Sequence, residues 1–192
     1  IIFNGDGYSK EWIAEAKRRG LHNIKSMIEA ASTITTDKAV ALFEKFGIFT
    51  RVELESREEI IYETYAKTIH IEALTMIDMA GKDIIPAVAS YAGSLAKTVI
   101  AVKEAGASAI AQIEMLNEVD ELLAEAKKAL SVLIKEEAAA TAIKDVKEQA
   151  FYFKDVVKEA MGALRTPIDK LEMIVDSKIW PIPTYGDLMF EV

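Results

Sequence analysis

The residues that could do chemistry in this 192-residue chain are few, and they are weighed first. Asn4-Gly5-Asp6-Gly7, followed by Ser9, has the small residues of a phosphate-cradling loop. Such a loop needs G-x-x-x-x-G-K-[ST], or G-x-G-x-x-G after a strand, so that backbone N–H groups converge on the anion. Gly5 and Gly7 fit neither spacing, and Asp6 would repel phosphate, so the stretch reads as the turn ahead of a helix. His22 and His70 are the two histidines. A di-iron bundle needs Glu-x-x-His on each of two helices, and the residue three before His70 is Lys67. His70 is therefore expected to be a hydrogen-bonded packing residue. Glu72 and Asp78 lie in an apolar stretch, where a buried carboxylate would be shifted and would flag a site; pairing with Lys or Arg at a helix interface is the preferred reading. Ser90 and Ser94 have no G-x-S-x-G elbow and no adjacent base, and are expected on a helix face. With no cysteine, disulfides, thiolate metal sites and Cys nucleophiles are excluded. No catalytic, cofactor-binding or metal-binding residue is nominated.

The elements that would position any site are helical. Ser9 is an N-cap candidate and Gly20, after Lys17-Arg18-Arg19, a stop, so a helix is predicted over 9–19. Asp37 to Phe46 is a second, capped by Thr36 or Asp37 and stopped by Gly47. Ser56 and Glu59 have capping-box spacing for the main body. Tyr62, Tyr65, Ile69, Ala73, Met76 and Ala80 form an apolar stripe that Ile71, Leu74 and Ile77 widen, so this helix is expected to be covered on two sides. Pro86 lacks an N–H and should kink or break the helix near 82–86. Gly106-Ala107-Ser108 reads as a turn. Leu116, Val119, Leu123, Ala126, Leu130 and Leu133 make one heptad seam, and Ile143, Val146, Ala150, Phe153, Val157, Ala160 and Leu164 make another. The two seams can pair within one molecule or between molecules. Thr141 is the cap candidate between them. Pro167 should bend the last helix without ending it. Pro181, Pro183 and Gly186 then enforce an extended arm carrying Trp180, Tyr185, Leu188, Met189 and Phe190, which needs a surface to pack on.

The composition agrees: 51% hydrophobic, 8% aromatic, 9 Gly and 4 Pro favour helices over disorder. A net charge of −8 argues against a general nucleic-acid partner or an anionic membrane surface. No unbroken apolar run reaches the roughly 18 residues of a membrane span, so none is expected. A reduced, cytoplasmic setting fits the absence of cysteine. The start, Ile1-Ile2-Phe3, reads as part of something longer. The expected fold is all-α: an antiparallel, coiled-coil-like hairpin of long helices with an extended apolar C-terminal arm. It divides into a linking segment with two short helices (1–50), the long-helix bundle (51–176) and the arm (177–192).

Four long strings carry a family resemblance. KAVALFEKFGIFTRVELESREEI (38–60), KTIHIEALTMIDMAGKDIIPAV (67–88) and WPIPTYGDLMF (180–190) resemble the C-terminal region of type III glutamine synthetases, and NGDGYSKEWIAEAKRRGL (4–21) resembles the segment leading into it. RTPIDKLEMIVD, ahead of Trp180, also fits. The resemblance implies a large cytoplasmic ligase that joins glutamate and ammonia at the expense of ATP, with Mg2+ or Mn2+. It implies a dodecamer of stacked hexameric rings, and an active site built by domains upstream of this region, so no catalytic residue carries over. On that reading the region is non-catalytic, inactive alone, and supports docking to the upstream catalytic domain and oligomer assembly. The packing residues expected to matter are Tyr65, Ile69 and Met76 in the central helix, with Trp180, Tyr185, Leu188 and Phe190 in the arm. Two alternatives stand beside it: a freestanding helical adaptor for a partner helix or peptide, and a small-ligand regulatory module of the same enzyme.

Overall fold

Ser9, Ser26 and Thr36 open the first three helices by the same chemistry. Each hydroxyl accepts the backbone N–H three residues on, from Trp12, Glu29 and Ala39 at 3.2, 3.2 and 3.4 Å, satisfying a donor that a helix start leaves unpaired. The helices are α1 (Lys10–Arg18), α2 (Met27–Ala31) and α3 (Asp37–Lys45). Gly20 and Gly47 stop α1 and α3 with φ of +71° and +65°, a backbone that costs glycine nothing. The computed structural model describes residues 4–183 and 185–190, with Tyr185 described by its backbone alone. Among these residues there is no strand, so the protein is all-α as expected.

The long helix begins earlier than the capping pattern predicts. α4 (Arg51–Asp78) starts at Thr50, not Ser56. Thr50 Oγ1 accepts the Glu53 N–H at 3.4 Å, and the Glu53 carboxylate accepts the Thr50 N–H at 2.8 Å, which is the reciprocal capping box displaced to the true N-terminus. Nor does Pro86 break the helix. A π turn at Met79–Ile84 joins α4 directly to α5 (Ile85–Glu104). The Ile85 N–H reaches back five residues to the Ala80 carbonyl, and Pro86 follows in the first turn of α5, so the bond that a proline cannot donate is missing beside a π turn rather than within a regular α-helix.

The described residues fall into two compact units, Ile1–Thr64 and Tyr65–Val192. The first holds α1 to α3 and the start of α4. Its buried apolar residues are Ala16, Ile28, Ala31, Val40, Leu54 and Tyr62. The Tyr62 phenol donates to Glu58 Oε1 at 2.7 Å; burial, then this carboxylate, push its pKa up.

The second unit is a bundle built on α6 (Ile110–Ala142), which packs along α5 on one side and along α8 (Lys158–Ile174) on another. Gly106, at φ +87°, makes the turn from α5. Only residues 143–145 separate α6 from α7 (Val146–Tyr152), which continues through a second π turn at Phe153–Val157 into α8. The two heptad seams therefore pair within one molecule, as an antiparallel hairpin. Val119, Ala126, Leu130 and Leu133 from the first seam and Ala150, Phe153, Val157, Ala160 and Leu164 from the second are buried. Asp145, rather than Thr141, caps the return helix by accepting the Glu148 N–H at 2.8 Å. The Gln149 amide donates to the carbonyls of Ala140 and Ile143 at 3.1 and 3.2 Å, closing the end of α6. Pro167 sits inside α8 without ending it.

The C-terminal stretch is extended for less of its length than its prolines suggest. Asp176 turns the chain: its carbonyl accepts the N–H groups of Ile179 and Trp180 at 2.8 and 3.0 Å, and its side chain accepts that of Lys178 at 2.9 Å. Trp180 is thereby folded into a core of Ile84, Val88, Leu95, Val119, Ala126, Leu171 and Val175. Beyond Pro183, a short helix, α9 (Tyr185–Phe190), forms, because the last proline is behind it and Gly186 weakens a helix without forbidding one.

Candidate functional site

The groups singled out for chemistry do not converge. Asn4 to Gly7 make a turn: Asp6 Oδ1 accepts the Tyr8 N–H at 2.9 Å, and the Asp6 carbonyl accepts the Ser9 N–H at 3.2 Å. A recess of ≈ 400 Å³ behind this turn has mixed walls, with Trp12, Ile13 and Leu21 beside His22, Asn23 and Lys25. His70 is half-buried, its ring edge-on to Phe153 at 6.1 Å and its Nδ1 2.8 Å from Glu137 Oε1. That carboxylate oxygen lies off the N–H direction, so the nitrogen is at ion-pair distance without an aligned hydrogen bond. Glu72 is exposed, and Asp78 is exposed and paired with Lys82 one turn on. Ser90 and Ser94 are exposed on α5, and the Ser94 hydroxyl donates to the Ser90 carbonyl at 3.2 Å. Among the described residues no three His, Cys, Asp or Glu side chains lie close enough to hold a metal ion.

What the structure does bring together is apolar surface. Ile69 is buried on α4, and Tyr65 and Met76 are half-buried; burial raises the pKa of the Tyr65 phenol. Met76 and Met79 meet Ile168, Trp180, Ile182, Pro183 and Leu188 around a recess of ≈ 450 Å³, whose rim carries Arg165, Asp169 and Glu172. Arg165 Nε donates to Asp169 Oδ2 at 3.1 Å across that rim. The Trp180 indole N–H is buried without a hydrogen-bond partner among the described residues. Leu188 lines the recess and still stands 69% exposed, and Phe190 79%. The packing role expected of Tyr185 lies outside the described residues. Ile71 and Leu74, which widen the α4 stripe, are exposed, so within this chain the helix is covered on one side rather than two.

A second apolar surface was not singled out from the sequence. In the first unit Ile13, Met27, Leu42, Phe46, Ile48 and Val52 are all more than half exposed. α3 is the clearest case. Val40 is buried and Phe43 half-buried on one side, while Leu42 and Phe46, four residues apart and hence on one face, point outward. The signal in the sequence is ALFEKF, where apolar residues occupy both sides of a helix.

The continuous helix Arg51–Glu104 also contains an 18-residue window of mean hydropathy 1.4, of which 17% is buried. It is thus long and apolar enough to cross a membrane by length and composition. The average conceals Ser90, Ser94 and Lys97, and one face of α5 packs on α6; a bundle helix meets the same criterion.

Comparison with known proteins places this geometry in a family. A family model described as the glutamine synthetase C-terminal domain matches residues 1–103. A glutamine synthetase of Butyrivibrio fibrisolvens is 36% identical over 194 residues, which cover 100% of this chain and 28% of that protein. A type-3 glutamine synthetase of Dictyostelium discoideum is 36% identical over 202 residues, covering 99% of this chain and 27% of its own length. A glutamine synthetase of Bacteroides fragilis is 32% identical over 196 residues, with 99% and 27% covered. The chain spans less than a third of the length of these relatives.

Proposed function

Because the chain belongs to the glutamine synthetase family, as its C-terminal region, we propose that it is a non-catalytic helical region that docks on the upstream catalytic part of its polypeptide and supports assembly of the oligomer. On this reading the ligation of glutamate and ammonia, the ATP and the Mg2+ or Mn2+ belong to the upstream part, in a cytoplasmic enzyme. The observation that carries the proposal is the end of the chain. Leu188, Met189 and Phe190 are 69%, 69% and 79% exposed, three large apolar side chains in a row on a helix of six residues. Solvent exposure of that much apolar surface is unfavourable by about 25 cal/mol per Å², and a partner surface removes the penalty.

The test has to spare the fold. Truncation at Ser177 would remove Trp180 from the core and unfold the bundle whatever the arm does. Deletion after Pro183 in the full-length protein leaves that core whole. The assembled mass should then fall, with activity lost in proportion to any assembly-dependent site. An unchanged mass by light scattering, with unchanged activity, would sink the proposal.

A further inference from the structure

We propose that the corner made by the outward face of α3 and the start of α4, with Leu42, Phe46, Ile48 and Val52, is the surface covered by the upstream portion of the same polypeptide. This rests on the docking reading above and assigns it a second surface, in the first unit, beside Leu188, Met189 and Phe190. Leu42, two residues from buried Val40, is turned roughly 200° away from it, and Phe46 follows one turn on. Their exposures are 54% and 65%; Ile48 and Val52, just beyond Gly47, stand at 55% and 73%. A helix of a self-contained unit carries polar residues on its outer face; α3 carries a leucine and a phenylalanine there. Charged groups lie around them: Lys38, Glu44 and Lys45 on α3, and Arg51, whose guanidinium donates to Asp37 Oδ1 at 2.7 Å. An apolar centre with a charged rim is the anatomy of a protein interface.

The occupant follows from the length of chain outside the structure. Relatives that align with all of this chain devote most of their length to other sequence, and the matched family model is a C-terminal domain. The upstream portion therefore enters at residue 1, ahead of α1 and only a few tens of residues before α3. Being covalently joined to the first unit, it meets this corner intramolecularly, which a second copy does not.

The experiment uses the full-length protein with a protease site inserted ahead of Ile1. After cleavage the two pieces of the parent should co-migrate in size exclusion. The Leu42→Ser/Phe46→Ser double variant should release the upstream piece, with association weakened about thirtyfold or more, since truncation of a central aromatic anchor commonly has that effect. Ile100→Ser, at a 58% exposed position in the second unit, should behave as the parent. If circular dichroism shows the double variant misfolded, Ile48→Ser/Val52→Ser at the corner and first helical turn replaces it. Co-migration of the double variant's pieces as tightly as the parent's would overturn the assignment of this face while leaving docking intact. Pieces that stay together while the assembled mass falls would reassign the face to a second copy and also overturn it. Separation of the parent's own pieces on cleavage would remove the docking reading and this inference with it.

Discussion

The outer faces of α3 and α6 show two ways of ending a core. α6 buries Val119, Ala126, Leu130 and Leu133 and turns Glu118, Glu121, Glu125, Lys127 and Lys128 to solvent; past its first residue, Ile110, the large apolar residues it exposes, Met115, Val132 and Ile134, keep more than half their surface covered. α3 buries Val40 and turns Leu42 and Phe46 outward. The difference runs through the units. The second has a core deep enough to enclose Phe153, Leu133, Leu164 and Leu171 almost completely, whereas among the described residues of the first the large side chains enclosed to that degree are Ile28, Leu54 and Tyr62. Yet the first, with about half the residues, exposes nearly as many large apolar side chains. A unit that closes over its own core is stabilised from within. A unit that does not close has been shaped against something else.

That contrast can be broken by stability measurements. Phe153, 2% exposed between the seams, should be the most sensitive position: Phe153→Ala should lower the unfolding free energy of the second unit by about 3–5 kcal/mol, read as a fall in the urea midpoint. Phe46→Ser in the same 192-residue chain should stay within about 0.5 kcal/mol. A large loss from Phe46→Ser would mean the outward face is structural, and the contrast would fail.

Smaller effects sharpen it. Gln149→Ala removes the donor that closes α6 at two carbonyls, and should cost about 1–2 kcal/mol, visible as faster amide exchange at residues 143–149. Thr50→Ala removes one half of the α4 capping box, and about 1 kcal/mol is expected, with fraying confined to the first turn. The smallest effect is electrostatic. Glu15 accepts from Arg18 at 2.7 and 2.6 Å and from Arg19 at 2.6 Å, and these hydrogen bonds hold its pKa at about 2 against an ordinary 4.5. A carboxyl depressed in the folded state contributes stability fully above the unfolded value and loses it as pH falls through the folded one. Protection of α1 amides, taken relative to the intrinsic exchange rate at each pH, should therefore be flat above pH 4.5 and fall between 4.5 and 2, and Glu15→Gln should abolish that fall. Salt should weaken the effect, since the pair is near the surface.

Much of the helical content was legible residue by residue. Ser9, Thr36, Gly20 and Gly47 mark helix ends by side-chain and backbone chemistry that acts within three or four residues, and the heptads at 116–133 and 143–164 declare which faces are apolar. The misreadings share one cause. Ser56 with Glu59 has the same spacing as Thr50 with Glu53, and only the position of Gly47 and the packing of α3 decide which pair stands at a helix start. Pro86 looks like a breaker because the sequence does not show that a π turn will stand ahead of it. The arm looks extended because Pro181 and Pro183 are conspicuous, while the turn at Asp176 and the helix after Pro183 are not. No spacing pattern announces the outward face of α3, because the same apolar residues would be read as core.

The sequence by itself determined that this chain is helical, where α1 and α3 begin and end, and which family it resembles, because caps, stops and apolar periods are local and their physics is complete within a turn or two of chain. Only the tertiary structure decided that the two heptad seams meet inside one molecule, that Trp180 belongs to the core while Leu188 and Phe190 do not, and that Leu42 and Phe46 are left facing outward. Burial is a relation between surfaces far apart along the chain, and an apolar residue carries no mark of whether its partner lies in its own unit or beyond it.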